Sequence, residues 1–168
     1  MKEKLKIANI INEKDHVWDS NSYNSRFEYK KKSLSQNSGA EKLGCSIYEV
    51  PPGKSAFPFH YHCSNEEAVF ILEGNAELRF GDESYFVSKG DYLTFPAEGS
   101  AHQLTNRGET TLKYICISTM VEPDMKVYPD SGKVGVVSTA SNNGTANSGK
   151  TEKFLRGDVE VVGLWEGE

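Results

Sequence analysis

Cysteine is scarce in this chain of 168 residues: Cys45, Cys63 and Cys116 are the only three. An odd number of widely spaced thiols is not a disulfide framework and suits a reducing compartment. Long apolar runs are missing as well. No stretch approaches the roughly 20 residues that cross a bilayer, and mean hydropathy is −0.56. The first 30 residues hold no apolar stretch of signal-peptide length. The expectation is a cytoplasmic protein with no membrane partner. A basic excess is also absent, since 19 Lys and Arg face 24 Asp and Glu, for a net charge of −5. That balance argues against a nucleic-acid surface, which needs a basic face. The acidity is concentrated in residues 51–128, with 11 acidic and 6 basic groups.

Aromatics are well supplied, with 8 Phe, 8 Tyr and 2 Trp. They are enough to build a core and exclude wholesale disorder. The length fits one domain. Residues 1–38 are polar and weakly periodic, and read as an N-terminal extension packing on the core through Val17, Trp18, Phe27 and Tyr29. Within it, Lys30-Lys31-Lys32 reads as a solvated basic patch.

From about residue 39 to 122 the texture changes. Short apolar runs are cut by Gly, Pro and Asp. Strands are expected at 43–50, 68–72, 76–80, 85–87, 92–95, 101–105 and 112–119, with a hairpin turn at Gly81-Asp82 and another turn at Lys89-Gly90-Asp91. No helical period shows. Strands at this spacing, separated by turn signals, mean an antiparallel sandwich or barrel. Residues 123–168 form a C-terminal segment. It holds a turn at 128–133, a polar loop at about 138–151 expected to be flexible, and an apolar tail from Phe154 to Trp165 expected to dock back on the barrel or on a second subunit.

The chemistry-bearing signal is His60-Tyr61-His62. Residues two apart on a strand face the same side, so both imidazoles project together. Glu67 lies five residues on, at the start of the next strand, and His102 lies on a later one. Three imidazoles and a carboxylate suit Zn, Mn, Fe, Ni or Co rather than Ca or Mg. Glu66 is a rival carboxylate, Cys63 reads as a structural thiol, and His16 as a surface residue. Phe57, Phe59 and Tyr61 alternate with the histidines and are expected on the opposite face. Tyr48, Phe80, Leu93, Phe95 and Leu104 are candidates for the barrel interior.

The spacing of these residues resembles that of the cupins, small antiparallel barrels also called double-stranded β-helices or jelly rolls. Gly53, six residues, His60-Tyr61-His62, four residues, Glu67, six residues and Gly74 are similar to the first cupin motif. Gly90, five residues, Pro96-Ala97-Glu98-Gly99, two residues, His102, three residues and Asn106 are similar to the second. Each motif carries one extra residue, before His60 and between Pro96 and Gly99. The resemblance implies an all-β fold with a single cupin barrel, and one divalent transition metal held by His60, His62, Glu67 and His102. Its spacing favours Glu67 over Glu66. It names no catalytic residue and no other cofactor.

What the resemblance implies for activity is broad, because fold does not fix function. Compact bacterial members of this type look like sugar-phosphate isomerase-like cupins. The expectation is a metalloenzyme acting on a small organic substrate, carbohydrate- or carboxylate-like, as an isomerase, dioxygenase or decarboxylase. The alternative is a non-catalytic, metal-dependent small-molecule binding or sensing protein. The acidic 51–128 segment, with few Lys and Arg, counts against a phosphorylated sugar. A homodimer is expected from the apolar tail.

Overall fold

A computed structural model describes residues 10–36, 38–138 and 151–156. Among these the fold is all-β, a jelly roll closed by short turns. The strands are β1 (Asp19–Ser22), β2 (Glu28–Ser33), β3 (Leu43–Val50), β4 (Tyr61–His62), β5 (Glu67–Glu73), β6 (Asn75–Phe80) and β7 (Glu83–Ser88), followed by β8 (Tyr92–Phe95), β9 (His102–Thr105), β10 (Leu112–Thr119), β11 (Asp124–Tyr128), β12 (Lys133–Ser138) and β13 (Thr151–Arg156). They form a six-stranded sheet in the order β1-β2-β3-β10-β5-β8, a four-stranded sheet β13-β12-β11-β4 and a three-stranded sheet β7-β6-β9. No helix among the described residues is long and apolar enough to cross a membrane.

The large sheet is built on β10, which pairs antiparallel with β3 on one side and β5 on the other. Alternation sends Tyr48, Val50, Val69, Ile71, Leu112 and Tyr114 inward, where they join Ala76, Leu78, Val87 and Phe95 in one core. Ile71 and Leu112 have no exposed surface. Burying side chains of this size contributes about 1.5–3 kcal/mol each. Two turns need particular residues. β6 and β7 are joined through Gly81-Asp82, with Phe80 opposite Glu83. Gly74 sits at φ +81°, and a Cβ there would lie 2.8 Å from the Thr111 carbonyl oxygen, so only glycine fits.

Asn106 is fully buried. Its amide donates to the carbonyls of Val50 (2.9 Å) and Thr110 (2.8 Å), and its Oδ1 accepts from the Gly108 amide (2.9 Å). One side chain thus satisfies three backbone groups where strand ends meet, and this gives the motif asparagine its structural role.

The segment before residue 38 adds β1 and β2 to the edge of the large sheet. Phe27 bridges to Ser55, Tyr29 packs on Tyr48 and Phe57, and the Lys32 ammonium lies 4.7 Å over the Trp18 ring. Val17 does not pack; it is 90% exposed. The three lysines do not form one solvated patch. Lys30 is exposed, Lys31 faces the interior cavity described below, and Lys32 is buried with its ammonium donating to the Glu13 carbonyl. Strand alternation turns Lys31 to the face opposite its two neighbours, and the Glu13 and Trp18 contacts cover Lys32 but not Lys30.

Two strands, β11 and β12, stand where the sequence shows only turn signals, flanking the expected turn at Tyr128–Lys133. The 139–150 part of the polar loop and residues 157–168 of the tail lie outside the described residues. The intervening β13 pairs with β12 through all six of its residues.

Candidate metal centre

His60 and His102 sit opposite one another in an isolated antiparallel bridge, closed by His60 N–H to His102 O (3.2 Å) and His102 N–H to His60 O (2.8 Å). Directly opposed residues present their side chains on one face. His62, two residues on, shares that face from β4. Glu67 opens β5, opposite Phe95 on one neighbour and Ser118 on the other. Its Oε2 lies 3.2 Å from His102 Nε2, 3.5 Å from His62 Nε2 and 4.0 Å from His60 Nε2. The four positions singled out from the motifs therefore meet around one carboxylate oxygen. Glu66 is exposed and turned away, and its backbone N–H bonds Thr119. The residue added between Pro96 and Gly99 is absorbed by a tight turn. Glu98 there takes a left-handed φ of 56°, and its N–H hooks onto the His62 carbonyl at 2.8 Å.

The remaining ring nitrogens fix which atoms face the centre. His60 Nδ1–H donates to the Pro58 carbonyl at 2.8 Å. A carbonyl only accepts, so the proton sits on Nδ1 and the lone pair on Nε2. His62 Nδ1–H donates to Asp124 Oδ2 at 2.5 Å. Asp124 is buried, and its other oxygen accepts the Ser64 N–H at 3.1 Å. His102 Nδ1 is buried without a partner, so nothing on that side opposes the orientation of Nε2. Rings pack the imidazoles in place: Phe95 stacks on His102 at 3.7 Å and Tyr128 on His60 at 5.7 Å.

The electrostatics follow from this geometry. Burial and the neighbouring His102 push His60 down to about 3, so it stays neutral. Burial lowers His62 as well, but hydrogen bonds and charge from Glu67 and Asp124 outweigh it and raise the group. Burial alone would raise Glu67, yet its contacts with His102 and His62 hold it well below the usual carboxylate range. Asp124 is likewise lowered, through His62, Asn65 and the Ser64 amide, against the effect of burial. A neutral imidazole lone pair and an ionised carboxylate are what a cation requires.

One ligand atom from each of His60, His62 and Glu67 lies within 4.8 Å of the others, close enough for one ion to bridge them. The N/O donor set and the pinned Nδ1–H groups fit a divalent transition metal with outer hydrogen bonds orienting its ligands.

The cluster lies on the wall of a cavity of about 840 Å³ between the large and four-stranded sheets. Phe57 was expected to face away from the histidines. Instead β4 begins only at Tyr61, the chain before it turns, and the Phe57 ring lies 6.2 Å from His60 at the cavity wall. Phe59 does turn away and packs under Arg79, with 3.6 Å from guanidinium to ring. Sequence reasoning missed Asp124 and Tyr128, which β11 delivers to the site. Their signal was the alternation of Asp124, Lys126 and Tyr128 with exposed Met125 and half-buried Val127. Cys116 was also unassigned; its thiol sits 3.9 Å from Glu67 Oε1, and burial holds it protonated.

Residues 46–118 match the family model described as the cupin domain. An uncharacterized protein of Methanocaldococcus jannaschii is 35% identical over 69 residues, which are 41% of this chain and 54% of that one. Quercetin 2,3-dioxygenase of Bacillus subtilis is 36% identical over 56 residues, 33% of this chain and 16% of the enzyme. The chain thus spans about half the length of the first relative and a small part of the second. Among solved structures, a protein assigned as a sugar phosphate isomerase in Acidithiobacillus ferrooxidans is 28% identical, with TM-score 0.68, over 80% of this chain and 81% of that one. A sugar phosphate isomerase of Silicibacter pomeroyi is 18% identical, with TM-score 0.75, over 92% and 97%. That second likeness is one of fold.

Proposed function

Since the chain carries a cupin domain over residues 46–118, we propose that it is a metalloenzyme acting on a small organic substrate, of the isomerase or dioxygenase kind. The observation that carries this reading is the convergence of three imidazole Nε2 atoms on the Glu67 carboxylate, at 3.2–4.0 Å, beside a cavity large enough for a small metabolite. His60, His62, Glu67 and His102 are the proposed ligands. A divalent transition metal held there would supply Lewis acidity toward an oxygen-bearing substrate.

The chain's own residues divide the remaining work. Asp124 and the Pro58 carbonyl hold two imidazoles with Nε2 forward. Tyr48 and Tyr114 stack at 5.1 Å and line the cavity, and burial keeps both phenols protonated, so they act as hydrogen-bond donors rather than bases. The likeness to the Acidithiobacillus protein supports an isomerase, and the local likeness to quercetin 2,3-dioxygenase supports oxygen chemistry.

The test is elemental mass spectrometry on tag-free protein, with His60→Ala and His102→Ala alongside. About one equivalent of a transition metal, lost in both variants, is expected. Wild-type protein that takes up no metal after reconstitution contradicts the reading. Ligand-induced stabilisation without turnover, in metal-loaded protein, would replace the enzyme by a binding protein.

A further inference from the structure

One row of side chains crosses the outer face of the large sheet, away from the cavity. Its members are cross-strand partners in order: Lys32 on β2, Ile47 on β3, Ile115 on β10, Phe70 on β5 and Tyr92 on β8. Exposure climbs along the row. Lys32 and Ile47 are 9% and 5% exposed, Ile115 is half-buried, and Phe70 and Tyr92 are 41% and 63% exposed. The next row runs Cys45, Ile117, Ala68 and Thr94. There Cys45 is half-buried, while Ile117 and Thr94 are exposed.

Residues 10–18 cover the closed end of this face. The Lys32 ammonium donates to the Glu13 carbonyl at 2.9 Å and lies over the Trp18 ring, so the segment crosses the outside of β2. Among the described residues the cover stops near β3. The described chain begins at Ile10, which is itself 63% exposed. Beyond it Leu43, Phe70, Tyr92 and Ile117 stay open. A shallow groove of about 190 Å³ runs among them, lined by Leu43, Ala68, Tyr92, Thr94 and Ile117, and rimmed by the exposed Glu66. Apolar side chains gathered on an open sheet face mark a docking surface.

We propose that residues 1–9 of the same chain continue the cover, as a strap across β10, β5 and β8 with Leu5 and Ile7 against Phe70, Tyr92 and Ile117. Continuity favours this occupant, because the residues that follow it already lie on this face. Its length suffices: nine residues reach about 30 Å when extended, and β3 to β8 is three strand spacings, about 14 Å. Its pattern fits as well. Lys4-Leu5-Lys6-Ile7 alternates, so an extended segment turns Leu5 and Ile7 to one side. With three lysines and one glutamate, the segment is complementary in charge to Glu66. The four open side chains present on the order of 400 Å², against about 800 Å² per partner in a stable dimer. A short strap matches that area.

The test is iodoacetamide alkylation of the full chain, followed site by site by peptide mass spectrometry. Native Cys45 reports on the near end of its row, and Thr94→Cys places a second thiol at the far end, on β8. Cys63, which follows β4 in another sheet, is the internal control. Thr94→Cys protein is compared with the same protein also carrying Leu5→Asp and Ile7→Asp. Release of the strap is expected to speed alkylation at positions 45 and 94 about tenfold, with the rate at Cys63 unchanged. Protection in the protein with Leu5 and Ile7 intact is expected to survive twentyfold dilution, as contact within one chain must. Equal rates at position 94 in the two proteins overturn the proposal. Protection lost on dilution, with a two-chain mass in light scattering, also overturns it, because the face is then covered by a second copy.

Discussion

Replacing Asp124 by Asn tests whether the site is organised from behind its ligands. The carboxylate accepts from His62 Nδ1 at 2.5 Å with one oxygen and from the Ser64 amide at 3.1 Å with the other. Asn has the same shape but only one acceptor. If its oxygen faces His62, its NH₂ meets the Ser64 N–H, donor against donor. If it turns to Ser64, the NH₂ faces His62 and favours the tautomer with the proton on Nε2, the atom needed for the metal. Either arrangement weakens the ligand. Losing such an outer partner costs about 10–100-fold in metal affinity, or about 1.4–2.7 kcal/mol. The assay is competition with a chromogenic zinc chelator at fixed pH, wild type against Asp124→Asn, with the melting temperature of both metal-free proteins recorded. Equal zinc affinity in the two proteins would refute the reasoning. A lower melting temperature with equal affinity would leave Asp124 a merely structural residue.

Asn106→Ala removes the donor to the Val50 and Thr110 carbonyls, at 2.9 and 2.8 Å, and is expected to destabilise the fold by about 1–3 kcal/mol in denaturant titration; zinc affinity unchanged from wild type is the second expectation. Ile71→Ala empties a site with no exposure and is expected to cost about 2–5 kcal/mol, so a midpoint equal to wild type contradicts the core assignment. Acid acts on the metal-free protein through His60. Its folded value of about 3 lies below the ordinary 6.5, so the unfolded chain binds a proton first and stability falls as pH drops from 6.5 towards 3. Glu67 and Asp124, both lowered, add to the loss as pH falls through their folded values, whereas raised His62 contributes stability that is fully present below 6.5 and is lost on the alkaline side. Between pH 6.5 and 4.5 the His60 effect amounts to about 2–3 kcal/mol, read by denaturant titration at the two values; a flat profile contradicts it.

Much of the barrel is legible in the sequence because turns and alternation mark it. The strands at 43–50, 92–95 and 112–119 coincide with β3, β8 and β10 residue for residue. Gly74 and Gly90 stand where φ is positive, at +81° and +97°. The gathering of His60, His62, Glu67 and His102 is legible for a similar reason: the two motifs place each residue near a strand start. Part of what escaped lies after residue 120. β11 is only five residues long and mixes Asp, Met, Lys, Val and Tyr. It looks like loop until its partners β4 and β12 are known, and with it went Asp124, Lys126 and Tyr128. Lys31 escaped because three consecutive lysines read as a solvated face, and only the pairing of β2 with β3 turns the middle one inward. Phe57 was misplaced because strand alternation was carried back past the true start of β4.

X-ray absorption spectroscopy on the zinc-loaded full chain tests the centre most directly, since it reads ligand type and distance together. The account predicts nitrogen and oxygen neighbours at about 2.0–2.2 Å with an imidazole signature, and loss of imidazole scattering in His60→Ala and His102→Ala. A sulfur neighbour at about 2.3 Å, or a shell of oxygen alone, would contradict it.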